Sequence, residues 1–66
     1  MTSYEVNANN NRSFSGSAKD VADVAVTWQR QGHEPRAYRI CVGDKIETRE
    51  VAITTKRETA KSLATA

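Results

Sequence analysis

The sequence predicts an α+β fold in which one amphipathic helix packs on a small antiparallel β-sheet. Three observations support this: a helical pattern between Ser17 and Gly32, alternating polar and apolar residues on both sides of it, and turn-forming residues between these segments. The predicted order of elements is β-β-α-β-β. A C-terminal tail that is weakly helical or disordered follows the last strand.

The first two strands are predicted on the N-terminal side of the helix. Residues 3–8 alternate between apolar and polar side chains, which is the pattern of a half-buried strand. The three asparagines at 9–11 favour a turn, because asparagine tolerates a left-handed backbone. Residues 12–16 then form a short return strand. Its one large apolar side chain, Phe14, is expected to enter the core.

The helix has clear signals at both ends. Ser17 is a favourable N-cap, and Asp20 lies three residues further on, in the positive first turn. Gly32 readily takes the left-handed conformation that ends a helix. We expect the apolar stripe of this helix to face the sheet. The stripe consists of Val21, Val24, Ala25 and Trp28.

A second hairpin is predicted after the helix. Residues 36–42 alternate, and the larger apolar side chains are expected to face the helix while the intervening residues face solvent. The turn is assigned to Gly43 and Asp44. The expected inward set is Tyr38, Ile40 and Val42, and the expected outward set is Ala37, Arg39 and Cys41.

The return strand, residues 45–53, has an irregular pattern. Ile46 and Val51 are five residues apart, so a regular strand would point them to opposite faces. A β-bulge between Glu47 and Glu50 would place both on one face. Alternatively, the strand ends early. The bulge is the slightly favoured interpretation.

The sequence predicts one domain over residues 1–53 and a basic tail over residues 54–66. The tail opens on Thr55-x-x-Glu58, the pattern of a capping box, and Leu63 is its one strong apolar side chain. Short helices without tertiary packing are marginal in water. The tail is therefore predicted to be mobile or partly helical.

Composition argues against catalysis and against a structural metal. Cys41 is the only cysteine and His33 is the only histidine, which excludes an internal disulfide and the usual Cys/His zinc site. A nucleophile–base pair of these two residues is the main enzymatic alternative. No signal peptide or apolar run long enough for a bilayer is present, so a cytoplasmic protein without cofactors and without membrane contact is predicted.

Charge suggests a binding surface. The formal net charge is +2, and this excess lies in residues 54–66. The predicted partner-binding residues are Arg36, Arg39, Lys45 and Arg49. The first alternative is nucleic-acid binding through this hairpin and the tail residues Lys56, Arg57 and Lys61. A second alternative is a self-associating subunit, in which edge strands pair to form a homodimer.

The order of elements over residues 3–42 carries a resemblance. Two strands, a serine-capped helix with one tryptophan, a glycine and a basic strand make the chain similar to small phage-encoded proteins, namely single-helix inhibitors of bacterial RNA polymerase and compact anti-CRISPR proteins. This resemblance implies a non-enzymatic accessory protein of a phage or mobile element. Such a protein binds, and inhibits, a larger host complex such as RNA polymerase or a CRISPR complex.

Overall fold

Four antiparallel strands form one sheet in the order β2-β1-β3-β4, and two helices lie on one of its faces. The computed structural model describes all residues, 1–66. The elements are β1 (Thr2–Ala8), β2 (Arg12–Gly16), α1 (Ala18–Arg30), β3 (Arg36–Val42), β4 (Ile46–Val51) and α2 (Lys56–Thr65). The α+β class and the antiparallel sheet are confirmed. The prediction gave one packed helix and a weakly helical or disordered tail, whereas the structure has a second helix, α2, in that tail.

Local signals set the turn between β1 and β2 and both ends of α1. Asn10 and Asn11 have positive φ angles of 68° and 60°, which asparagine tolerates better than most residues. The Ser17 hydroxyl accepts a hydrogen bond from the backbone N–H of Asp20 at 3.1 Å, as predicted for the N-cap. Gly32, at a φ of 81°, follows the end of α1. Neither helix is long and apolar enough to span a lipid bilayer.

The register of the sheet decides which face of β3 is covered. Ala37 lies directly opposite Val6 of β1 and opposite Val51 of β4, and directly opposed residues share a face. Ala37 and Val6 are fully buried in the cluster that includes α1 and α2 residues. The predicted orientation of β3 is therefore wrong: its small side chain, Ala37, faces the helices. Tyr38, Ile40 and Val42 point to the other face.

The buried stripe of α1 is also shifted from the predicted one. Val24 and Trp28 are half-buried at its margin and pack against the core cluster. The fully covered stripe consists of Val21, Ala22, Ala25 and Val26. The shift has a physical cause, because α1 contacts α2 as well as the sheet. A helix with two neighbours buries a wider face than a helix on a sheet alone.

Phe14 does not enter the core. It lies opposite Val6 on the edge strand β2, and 36% of its surface is exposed. An edge strand has a neighbour on one side only, so a side chain on it is covered incompletely. The prediction of Phe14 as a core residue is wrong.

Strand β4 is regular and contains no bulge. Its residues pair in unbroken sequence with β3, from Ile46 opposite Val42 to Val51 opposite Ala37. The two apolar residues therefore point to opposite faces. Val51 packs against the core, whereas Ile46 is 72% exposed. The favoured bulge interpretation is wrong.

Residues 54–66 contain a packed helix rather than a weakly helical or disordered tail. The Thr55 hydroxyl accepts from the backbone N–H of Glu58 at 3.1 Å, which confirms the predicted cap. Leu63 is fully buried in the main core cluster. The buried Thr59 hydroxyl accepts from the backbone N–H of Thr54 at 3.0 Å, which ties the entry loop to the helix. Tertiary packing therefore supplies the stability that the short helix lacks alone.

The packing of α2 predicts the effect of truncating Leu63. We expect Leu63→Ala to lower the free energy of unfolding by about 2–5 kcal/mol, the usual cost of a cavity in a core. Urea denaturation measures this change. The exposed neighbour Ser62 provides the control, since Ser62→Ala should change the unfolding free energy by about 0.5 kcal/mol or less. Equal effects of the two substitutions would show that α2 does not pack in solution.

Candidate functional site

The face of the sheet opposite the helices carries an apolar row; we call this face the open face. Its apolar residues come from β3 and β4, and Val42 lies directly opposite Ile46. Val42 is 47% exposed and Ile46 is 72% exposed. The remaining members are half-buried by their neighbours within the sheet. The complete apolar row is Tyr38, Ile40, Val42 and Ile46.

Polar residues surround this row and give the open face a distinct charge pattern. Tyr38 lies between Glu5 of β1 and Glu50 of β4, which are its directly opposed neighbours. The Asn7 side-chain amide donates to the Glu5 carboxylate at 3.4 Å. Arg36 lies opposite Asn7 at the end of β3. The open face thus has an apolar centre, two carboxylates beside Tyr38 and one arginine at its end.

The four predicted partner-binding residues do not share one surface. Arg36 is on the open face, whereas Arg39 and Arg49 project to the helix side, because residues an odd number apart on a regular strand point to opposite faces. Lys45 lies in the turn between β3 and β4. Of the predicted set, the structure places Arg39 and Arg49 together and separates Arg36 from them.

Sequence reasoning missed the apolar row of the open face. Tyr38, Ile40 and Val42 were assigned to the core, and a bulge was expected to bring Ile46 to the same face as Val51. The five-residue spacing of Ile46 and Val51 was the signal in the sequence that apolar residues lie on both faces of β4. In a regular strand it places one apolar residue on each face, which is the arrangement observed.

The predicted basic residues of the tail lie on α2, where two of them line a groove. This groove of about 500 Å³ runs between the first turns of α1 and α2. Its lining residues are Lys19, Asp20, Asp23, Lys56, Arg57 and Ala60. Lys56 Nζ forms an ion pair with the Asp23 carboxylate at 2.7 Å. Lys61 is exposed and is not part of the lining. Aspartates therefore interrupt the cationic strip that nucleic-acid binding would use.

The structure does not bring the candidate catalytic groups together. The His33 carbonyl accepts from the backbone N–H of Asn9, just beyond the end of β1, while Cys41 lies opposite Thr2 at its start. The length of a seven-residue strand, about 20 Å, separates the two positions. No group of three or more His, Cys, Asp or Glu side chains is arranged to hold a metal ion.

The carboxylates of Glu47 and Glu50 on β4 are also separated by the sheet. Glu47 lies opposite Cys41 and projects to the helix side, whereas Glu50 lies opposite Tyr38 on the open face. These two groups cannot act on one substrate atom from opposite sides of a sheet. On α1, the Asp23 carboxylate forms an ion pair with Lys56.

Comparison of the chain with models of known protein families, with curated proteins and with solved structures finds no match.

Proposed function

We propose that the chain is a non-enzymatic binding module that docks through its open face on a larger protein complex. In this proposal it is an accessory protein of a phage or mobile element, and its partner is a host machine such as RNA polymerase or a CRISPR complex, which it inhibits. The observation that carries the proposal is the sheet face without helices, on which Tyr38, Ile40, Val42 and Ile46 form one apolar row.

The exposure of this row supports docking in energetic terms. Val42 and Ile46 are adjacent across the strands, and each exposes about half of its surface or more. Removing apolar surface from water is worth roughly 25 cal/mol per Å². Adjacent exposed apolar residues with a polar rim are typical of protein interaction sites. A partner surface that covers this row therefore gains free energy without any change in the fold.

The charges around the row indicate the chemistry of the partner surface. Glu5 and Glu50 flank Tyr38, so a complementary surface has an apolar centre with lysine or arginine beside it. Arg36 favours an acidic group at the end of the contact. This surface replaces the purely cationic contact predicted from the sequence, of which Arg36 alone lies on the open face.

A charge placed in the apolar row tests the proposal. We expect Ile46→Lys to weaken binding to purified bacterial RNA polymerase or to a CRISPR effector complex by about tenfold or more, since the ammonium would be desolvated at the contact. Gln29→Lys is the matched control, because Gln29 is exposed on α1 and the substitution adds the same charge on the helix side. Calorimetry or surface plasmon resonance gives both affinities.

The proposal requires a selective loss. Equal weakening by both substitutions would assign the effect to net charge, and no binding of either complex by the wild-type chain would remove the proposed partner class. Nucleic-acid binding is tested by a separate salt titration with an oligonucleotide. A steep fall of oligonucleotide affinity with salt, which Arg57→Glu flattens, would replace protein docking by the alternative function.

Self-association has a separate measurement. Because the proposal assigns the open face to a different protein, we expect the sedimentation coefficient of the chain to stay at the monomer value as the concentration is raised. Pairing of edge strands, or stacking of two open faces, would instead make it rise with concentration. A dimer that Ile46→Lys dissociates would identify a second copy as the occupant of the open face.

A further inference from the structure

Two arginines face each other on the helix side of the sheet. Arg39 of β3 lies directly opposite Arg49 of β4 in the antiparallel register. Side chains at such positions leave the sheet on the same face with Cβ atoms about 4.5–5.5 Å apart. The two guanidinium groups therefore start from adjacent positions, on the face opposite to the open face.

This pair lacks the partners that arginines normally have. The one ion pair of the structure joins Lys56 to Asp23, so no carboxylate lies within 4 Å of either guanidinium group. Arg39 is half-buried, and its Nε atom is buried without a hydrogen-bond partner. Like charges at directly opposed positions destabilise a sheet, and a buried donor without a partner adds a further cost.

The neighbouring positions do not cancel this charge. On the same face, Arg39 lies between Tyr4 of β1 and Arg49, and neither neighbour is acidic. Glu47, two residues from Arg49, is the acidic residue of β4 on this side, and it lies opposite Cys41. Glu47 forms no ion pair with either arginine.

We propose that Arg39 and Arg49 form a binding site for a phosphate group, either inorganic phosphate or a small phosphate monoester. Each guanidinium group presents several N–H donors in a planar fork, which matches the oxygen atoms of phosphate. Two adjacent positive charges favour a dianion over a singly charged carboxylate. The site lies on the other side of the sheet from the docking surface, so it stands independently of the proposed function.

Titration with inorganic phosphate and with glycerol 3-phosphate, followed by NMR of the arginine Nε–Hε groups, tests this site. We expect a saturable shift of the Arg39 signal that sodium chloride of equal ionic strength does not produce. Arg49→Gln should weaken the affinity by about tenfold, whereas Arg36→Gln, which removes the same charge from the open face, should change it less than about twofold. The tighter of the two probes identifies the source of the phosphate group.

A charge reversal separates binding from stability. Arg49→Glu places a carboxylate opposite Arg39, so it should raise the melting temperature while abolishing the response to phosphate. In the wild-type chain, phosphate itself should raise the melting temperature through binding to the folded state. The proposal is wrong if chloride reproduces the phosphate shift, if Arg49→Gln binds phosphate as tightly as the wild-type chain, or if Arg49→Glu retains the response.

Discussion

Close packing of α1 on the centre of the sheet is the contact that orients the rest of the molecule. Ala22 and Ala25 of α1 share a fully buried cluster with Val6 and Ala37 of the two central strands. Small side chains on both sides let a helix approach a sheet closely. Successive side chains of a strand point to opposite faces. Because Ala37 points toward the helices, Arg39 does so as well, and the apolar row lies on the open face.

Local chemistry was predictable from the sequence, and the choice of strand face was not. The caps at Ser17 and Thr55 depend on a hydroxyl and a backbone N–H three residues away, so a short stretch of sequence suffices to identify them. In β3, the large apolar residues alternate with Ala37, Arg39 and Cys41, and this pattern alone favours the large residues as the core set. The inward position of Ala37 depends on tertiary packing in a cluster with residues of both helices, which no pattern within β3 contains.

The open face was missed for the same reason, because the face of each strand residue depends on tertiary packing. Assigning every large apolar side chain to one core required a bulge in β4, whereas the regular strand uses Val51 for the core and leaves Ile46 on the open face. The four predicted cations then divide between two faces and a turn. Arg39 and Arg49 were among the cations selected from the sequence, but their adjacency depends on the register of β3 and β4, which only the assembled sheet defines.

The small core connects these surface features to stability. Eight of the 66 residues are buried, so the domain has little stability in reserve. The exposure of Ile46 and the opposed positions of Arg39 and Arg49 both lower the free energy of unfolding. The exposed Lys56–Asp23 ion pair adds about 1 kcal/mol to it at most. A ligand that binds only the folded chain offsets such costs by mass action. Destabilising features are thus concentrated where binding would relieve them, on two opposite faces of one sheet.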